Sequence, residues 1–114
     1  MHELGIVFEV IRTVEDIAKE QGLEQIASIT LGVGEGSLII PQYLEECFPA
    51  AIDGKPMFSD TKLEIHVIPS EAKCKKCGAI FNVIQTKGYC PVCNSFDKEI
   101  LSGKEFLIEE ILAC

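Results

Sequence analysis

Four of the six cysteines form two CxxC units, and their spacing is the clearest sign of chemistry in the chain. Cys74 and Cys77 lie in "CKKCG", and Cys90 and Cys93 lie in "CPVCN" after an interval of twelve residues. Each unit is typical of a zinc knuckle, a tight turn that points two sulfurs at one ion and leaves backbone amides free to donate to them. Four thiolates complete the tetrahedral set of Zn(II), so the spacing predicts a structural zinc site without an open position.

Two other chemistries use cysteines in similar arrangements, namely a redox CxxC pair and an iron–sulfur cluster. A redox CxxC usually occurs once, at the start of a helix that follows a strand, whereas here two copies lie in turn-rich sequence. We therefore favour zinc and keep the redox and cluster readings as alternatives. Of the other cysteines, Cys47 is predicted to be a small core residue of a helix and Cys114 an exposed thiol.

The first residues, "MHEL", are a second candidate site. The terminal amine of Met1, the amide of His2 and its imidazole can supply adjacent nitrogens in one plane, and Glu3 or a neighbouring amide can complete the set. Square-planar nitrogen donation suits Ni(II) or Cu(II). Taken alone the signal is weak, because a histidine near a chain end is usually a solvated residue.

Composition limits the classes of function. The 114 residues are 47% hydrophobic and 25% charged, which indicates one globular core with a small appendage. A formal net charge of -8 argues against nucleic acid as a partner and favours cationic ligands. No export signal and no apolar run of membrane-spanning length is visible, so we expect a cytoplasmic protein with reduced thiols and no membrane contact.

Helical periodicity appears twice. From Leu4 to Gly22 the apolar residues recur at steps of three and four and predict an amphipathic helix preceded by residues 1–3, with Glu15 and Lys19 able to pair. A second helix is predicted to begin near Pro41 with Leu44, Phe48 and Ala51 facing inward, and Pro49 is expected to bend it or end it early.

Alternating patterns predict the strands. They lie in "IASITLGVG", with Ala27, Ile29, Leu31 and Val33 inward, and in "TKLEIHVIP", with Leu63, Ile65 and Val67 inward and Pro69 as its end. The segment "KEFLIEEIL" fits a strand or a short helix, and we favour a strand because a third strand would complete a thin sheet. His66 alternates outward and is expected to be exposed. Between residues 70 and 102 only "AIFNVI" resembles a strand.

These features together resemble the HypA/HybF family of hydrogenase nickel-incorporation proteins. The resemblance rests on "MHEL" before an amphipathic helix, "ITLGVGE", a strand such as "KLEIHVIP", and CxxC-x12-CxxC before a last apolar segment. It implies an α+β fold of two helices packed on a small three-stranded sheet, with an inserted zinc-ribbon-like domain. It also implies a nickel-binding domain of residues 1–69 plus 103–114 and a zinc-binding domain of residues 70–102.

The resemblance implies a metallochaperone with Ni(II) as transient cargo and Zn(II) as structural cofactor. His2 would be the essential nickel ligand, assisted by Met1 through its amine and by Glu3 through its backbone or carboxylate. Cys74, Cys77, Cys90 and Cys93 match the zinc ligands of the family. The implied partners are the accessory GTPase HypB, the [NiFe] hydrogenase large subunit and urease maturation proteins, and the implied state is a monomer or a weak homodimer.

The chain departs from the family pattern at two places and leaves one rival function. Gly5 replaces a residue that is often polar in relatives, and no histidine flanks either knuckle. The rival is a zinc-ribbon interaction module without a nickel role, which the lysines near the knuckles would suit. We expect no enzyme, because no nucleophile has a plausible base and "LGVGEG" resembles a phosphate-binding glycine loop only superficially.

Overall fold

A computed structural model describes residues 3–114, in which the chain forms two α-helices, six β-strands and a short 3-10 helix. In chain order these are α1 (Glu3–Gln21), β1 (Ile26–Gly34), α2 (Pro41–Ile52), the 3-10 helix (Pro56–Phe58), β2 (Lys62–Ile68), β3 (Glu71–Cys74), β4 (Ile80–Asn82), β5 (Lys98–Ile100) and β6 (Phe106–Ala113). The strands form two three-stranded sheets, ordered β2-β1-β6 and β4-β3-β5. This confirms the predicted α+β class with a small inserted unit.

The chain divides into two compact units. The first holds the chain up to Gly32, Ile39–His66 and Leu107–Cys114, and the second holds Val33–Leu38 and Val67–Phe106. The division drawn from the sequence, at residues 70 and 102, left 33–38 with the first domain, whereas here this short segment groups with the cysteine-bearing unit. Neither helix within residues 3–114 combines the length and apolar character needed to cross a bilayer.

Helix α1 buries the apolar stripe that its periodicity predicts: Val7, Val10, Ile11, Val14 and Ala18. It ends as expected at Gly22, which has a φ of 68°, and the amide of Leu23 donates to the carbonyl of Ala18 at 2.9 Å. Two expectations were wrong. The helix already includes Glu3, which is buried, and Glu15 pairs with Lys55 at 3.1 Å rather than with Lys19 one turn away.

Helix α2 begins at Pro41 and buries Leu44, Phe48 and Ala51, as predicted. Pro49 does not end it early, because the helix continues to Ile52. The proline lacks the amide that would bond to the carbonyl of Glu45, so this position loses one helical hydrogen bond without ending the helix. Cys47, expected in the core, is only half-buried.

The sheet of the first unit has β1 at its centre. Ile29, Leu31 and Val33 are buried as predicted, while Ala27 is half-buried and its neighbour Ile26 takes the buried place. In β2 the expected inward residue Val67 is 46% exposed and Ile68 is half-buried instead, so the alternation shifts near the end of this strand. The C-terminal segment is a strand, as favoured, and its half-buried residues are Phe106, Ile108 and Ile111.

The sheet of the second unit is built on β3, which pairs antiparallel with β4 and β5. Ala72 lies opposite Phe81 and Ile100, and Cys74 lies opposite Lys98. The core of this unit is small and consists of Ala72, Cys74, Phe81 and Cys90. Since two of these four residues are cysteines of the CxxC units, apolar burial contributes little to its stability.

The loop of residues 34–36 is hydrogen-bonded to two other segments of the second unit. The amide of Glu35 donates to the carbonyl of Ile68 at 2.9 Å, and its carboxylate accepts from the amide of Ser70 at 2.8 Å and from Asn82 Nδ2 at 3.1 Å. On the other side the amide of Gly36 donates to the carbonyl of Gly103 at 2.6 Å. The loop is thus hydrogen-bonded both to Ile68 and Ser70, which precede β3, and to Gly103, which follows β5.

Gly103 lies at the closest approach in this cluster. Its φ is 100°, and a Cβ added there would lie 2.3 Å from the Cα of Ser70. Because the clashing atom belongs to the backbone, no side-chain rotation could relieve the overlap. The position therefore requires glycine for both its conformation and its space.

We predict that Gly103→Ala lowers the free energy of unfolding of the second unit by about 3 kcal/mol, since the backbone must move. The matched control is Gly54→Ala, where φ is 75° but no atom lies within 4 Å of the added Cβ, so only the left-handed strain of about 1 kcal/mol applies. Denaturant unfolding followed by NMR signals of each unit measures both. Equal losses for the two variants would contradict the packing argument.

A second prediction concerns Glu35. The backbone amide of Ser70, followed by Asn82, holds the pKa of this carboxyl below its ordinary value of 4.5. A lowered carboxyl pKa stabilises the folded state above about pH 4.5, and this contribution is lost as the pH falls through the folded pKa. Glu35→Gln should therefore reduce stability at pH 7, and the difference from the unsubstituted chain should shrink below pH 4.5. Thermal unfolding of both proteins between pH 3 and 7 tests this, and a constant difference would refute it.

Candidate metal centre

The two CxxC units fold into knuckles with the same backbone pattern. In the first, the amide of Gly78 donates to the carbonyl of Cys74 at 2.9 Å, and the amide of Cys74 donates to the carbonyl of Ala79 at 2.8 Å. In the second, Asn94 and Cys90 repeat these bonds, with the carbonyls of Cys90 and Ser95 as acceptors at 2.8 and 2.9 Å. Each knuckle therefore presents its two sulfurs from one tight turn.

A left-handed residue closes each knuckle. Gly78 has a φ of 82°, and Asn94 has a φ of 62° in the equivalent place. Asparagine is among the few residues that adopt this conformation readily. Asn94 was not predicted from sequence, although "CKKCG" and "CPVCN" place it one residue after the second cysteine, as Gly78 is placed.

Backbone amides point at the first sulfur of each knuckle. The amides of Lys76 and Cys77 both donate to Cys74 Sγ at 3.4 Å, and the amide of Val92 donates to Cys90 Sγ at 3.4 Å. The amide of Cys77 is the main cause that lowers the pKa of Cys74 to about 6, and the amide of Cys93 likewise lowers the pKa of Cys90. These donors stabilise negative sulfur, the form that binds metal.

The second sulfur of each knuckle behaves in the opposite way. The amide of Ala79 lowers the pKa of Cys77, but the contact with Cys90 and the other neighbouring sulfurs outweigh it and raise this pKa to about 12. The pKa of Cys93 is also raised: the amide of Ser95 lowers it, and desolvation and the contact with Cys74 outweigh that amide. Four sulfurs this close together cannot all be negative without a compensating cation.

The four sulfurs converge on one point. Cys74 Sγ lies 3.5 Å from Cys93 Sγ, Cys77 Sγ lies 3.5 Å from Cys90 Sγ, and all four lie within 4.8 Å of one another. A tetrahedral ion with metal–sulfur bonds of about 2.3 Å separates its sulfurs by about 3.8 Å. The cluster is therefore consistent with a zinc site. Cys74 and Cys90 are buried, whereas Cys77 and Cys93 are exposed.

The other predicted metal residues are not part of this cluster. Within residues 3–114 the four cysteines are the only group of three or more His, Cys, Asp or Glu side chains close enough to share an ion. Glu3 lies in the first turn of α1 with 8% of its surface exposed, and Met1 and His2 lie outside the described residues. His66 is exposed, as predicted, and its Nδ1 lies 3.0 Å from Glu109 Oε2.

The fold and the cysteine cluster together define a metal-binding protein of the α+β class. A family model described as "Hydrogenase/urease nickel incorporation, metallochaperone, hypA" matches residues 1–113. The chain belongs to this family, HypA. The match includes both the amino-terminal residues and the two knuckles, so it covers each part of the chain on which the resemblance in the sequence rested.

Individual relatives agree over the whole length. The chain is 37% identical over 109 residues to the hydrogenase maturation factor HypA of Moorella thermoacetica, covering 96% of each chain. It is 36% identical over 111 residues to that of Trichodesmium erythraeum, covering 97% of this chain and 94% of the relative. The solution structure of the Ni metallochaperone HypA from Helicobacter pylori has a TM-score of 0.68 at 25% identity, covering 99% of this chain and 97% of that one.

We predict that Cys74→Ala abolishes stoichiometric metal binding at the cysteine cluster and unfolds residues 67–106 while the first unit stays folded. The reason is that Cys74 is both one of the four converging sulfurs and one of the four residues of the buried cluster around β3. Elemental analysis and amide hydrogen exchange measure the two effects. Cys47→Ala is the control, because Cys47 is outside the cluster. Full metal content in Cys74→Ala would exclude this residue as a ligand.

Proposed function

We propose that this chain is a metallochaperone that binds Ni(II) as cargo and delivers it for the maturation of [NiFe] hydrogenase. The observation that carries the proposal is the family match over residues 1–113, whose description names nickel incorporation. The relatives from Moorella and Trichodesmium are hydrogenase maturation factors by name, and the Helicobacter protein is a Ni metallochaperone. Nickel handling is therefore the function that best explains why the whole length of the chain resembles these proteins.

Nickel is proposed to bind at the amino terminus. The amine of Met1, the amide nitrogen of His2 and the imidazole of His2 are donors of the kind that square-planar Ni(II) takes. Glu3 would supply the remaining position through its backbone or its carboxylate. All of these groups lie within three consecutive residues, so one short segment can provide a complete set of ligands.

The position of Glu3 supports this arrangement. It is the first residue of α1, and the first amides of a helix have no carbonyl partner within the helix. The amide of Glu3 is thus not committed to helical hydrogen bonding. Its side chain is mostly buried, which fixes the point at which the proposed nickel site joins the folded chain. A ligand segment attached to a rigid helix has less conformational entropy to lose on binding.

Zinc is proposed to bind Cys74, Cys77, Cys90 and Cys93 and to stabilise the second unit. Four protein sulfurs leave no position for a substrate, so this ion would be structural. Zinc is favoured over an iron–sulfur cluster or a redox role because two similar knuckles, with amides donating to sulfur, bring four sulfurs within 4.8 Å of one another. The first unit would then act as the nickel-binding domain and the second as the zinc-binding domain.

The proposed partners follow from the same family. They are the accessory GTPase HypB, the [NiFe] hydrogenase large subunit as the recipient, and urease maturation proteins, since the family description also names urease. We propose a cytoplasmic protein, a monomer or a weak homodimer, without nucleic-acid or membrane partners. The net charge of -8 is compatible with cation handling and with basic partner surfaces.

The experiment that tests the nickel site is titration of zinc-loaded protein with Ni(II) by calorimetry. One Ni(II) should bind per chain, and His2→Ala should weaken nickel binding by at least about 100-fold, because the substitution removes the imidazole nitrogen from the proposed set of donors. His66→Ala is the control, since His66 is exposed and already pairs with Glu109. Zinc content should stay at one per chain in every variant.

Glu3→Gln distinguishes the two proposed roles of Glu3. The substitution keeps the backbone amide and removes the carboxylate, so unchanged affinity indicates a backbone ligand and a large loss indicates the carboxylate. If nickel binds His2→Ala as tightly as the unsubstituted chain, the amino-terminal site is excluded. If zinc is present and no nickel binds to any form, the chain is better described as a zinc-ribbon interaction module.

A further inference from the structure

The second knuckle carries an ordered and exposed aromatic pair that the proposed metal roles do not use. Tyr89 and Phe96 are 48% and 59% exposed, and their ring centroids lie 5.1 Å apart at an interplanar angle of 57°. They flank the knuckle, because the hydrogen bond from Cys90 to Ser95 joins the residues just inside them. Exposed aromatic residues that are held in place commonly mark binding surfaces.

The backbone and one lysine fix the Phe96 ring. Gly88 has a φ of 94°, and a Cβ added there would lie 2.8 Å from Phe96 Cε1, so the ring rests directly on this glycine. Lys98 Nζ lies 3.5 Å from the centroid of the same ring and donates to the carbonyl of Phe96 at 3.1 Å. The ring and the ammonium group are therefore positioned before any partner arrives, which reduces the entropy lost on binding. We call Gly88, Tyr89, Phe96 and Lys98 the aromatic face.

The charge around this face is unlike that of the rest of the chain. The second unit contains six basic and five acidic residues, among them Asp97 beside Phe96, whereas the first unit contains four basic and thirteen acidic residues. Lys87 immediately precedes Gly88, and the space where a Cβ of Gly88 would stand is 3.5 Å from Lys98 Nζ. A partner group that approaches the Phe96 ring thus meets positive charge beside it.

We propose that the aromatic face is a docking site for an acidic segment of a partner protein. In this arrangement an apolar side chain of the segment packs on Phe96 and Tyr89, and an adjacent carboxylate pairs with Lys98. The inference goes beyond the proposed metal functions and does not depend on the nickel site. A single-stranded nucleic acid could also stack on aromatic rings beside lysines, but the net charge of -8 of the whole chain disfavours a long polyanion.

The chain offers matched controls on the other face of the same sheet. Lys98 is paired with Cys74, whereas Lys73 is paired with Ile80 and Glu99. Lys73 and Cys74 are neighbours in β3, and neighbouring residues of a strand point to opposite faces. Lys73 and Lys98 therefore lie on opposite faces of the sheet. Lys73→Glu therefore changes the net charge as Lys98→Glu does, but on the opposite side. Ile80, which is 62% exposed, serves in the same way as the control for Phe96.

The experiment uses the full-length, zinc-loaded protein labelled with ¹⁵N and an acidic probe peptide, acetyl-DEFDELDE-amide, titrated to about 1 mM, the weak end of specific binding. We expect saturable shifts of the amide signals of residues 87–98. Phe96→Ala and Lys98→Glu should each weaken binding about tenfold, as truncation of an anchor residue does, while Ile80→Ala and Lys73→Glu should change it less than twofold. Zinc content and unchanged spectra elsewhere show that the variants are folded.

Several outcomes would overturn the proposal. An absence of saturable shifts would exclude the docking site. Equal losses of peptide affinity in Lys98→Glu and Lys73→Glu would show that diffuse charge alone attracts the peptide. Equal binding of a peptide whose Phe and Leu are replaced by Gly would show that the rings play no part. Tighter binding of an oligothymidine of eight nucleotides would identify a nucleic-acid surface instead. Concentration-dependent shifts of residues 87–98 without peptide would assign the face to a second copy of the chain.

Discussion

The repulsion among four sulfurs within 4.8 Å is the constraint on which the cysteine-bearing unit depends. Backbone amides lower the pKa values of Cys74 and Cys90, whereas contact with Cys90 raises the pKa of Cys77 and desolvation, followed by contact with Cys74, raises that of Cys93. The conflict disappears when a divalent cation occupies the centre, because all four sulfurs can then be negative. A sheet of strands of three or four residues, with a core of four residues, can be stable on this basis.

The elements with a long or regular pattern were predictable from sequence. Helix α1 follows from nineteen residues of consistent periodicity, and the knuckles follow from the spacing of four cysteines, which is independent of burial. The strand at residues 106–113 could only be favoured, because periodicity alone also allowed a helix. Its assignment depended on the need of a sheet for a third strand, which is a tertiary argument.

What sequence could not provide were features set by partners distant in the chain. Strands β3 and β5 have three or four residues, several of them charged, and they exist because they pair with each other across the knuckles. Glu15 pairs with Lys55, forty residues away, in preference to the local Lys19. Val67 and Cys47 are more exposed than their periodicity suggested, because burial depends on what covers a face as well as on its direction.

The loop of residues 34–36 has a consequence for how the chain can be dissected. Glu35, Ser70, Asn82 and Gly103 come from widely separated parts of the sequence, yet they share one set of hydrogen bonds in the second unit. A fragment of residues 70–102 would lack Glu35, whose carboxylate accepts a hydrogen bond from the amide of Ser70. It would also lack Gly103, whose carbonyl accepts a hydrogen bond from the amide of Gly36. The cysteine-bearing unit is thus not one continuous segment that could be transferred to another protein by itself. It is a discontinuous domain, and any graft into another protein would need to carry the segment 33–38 with it.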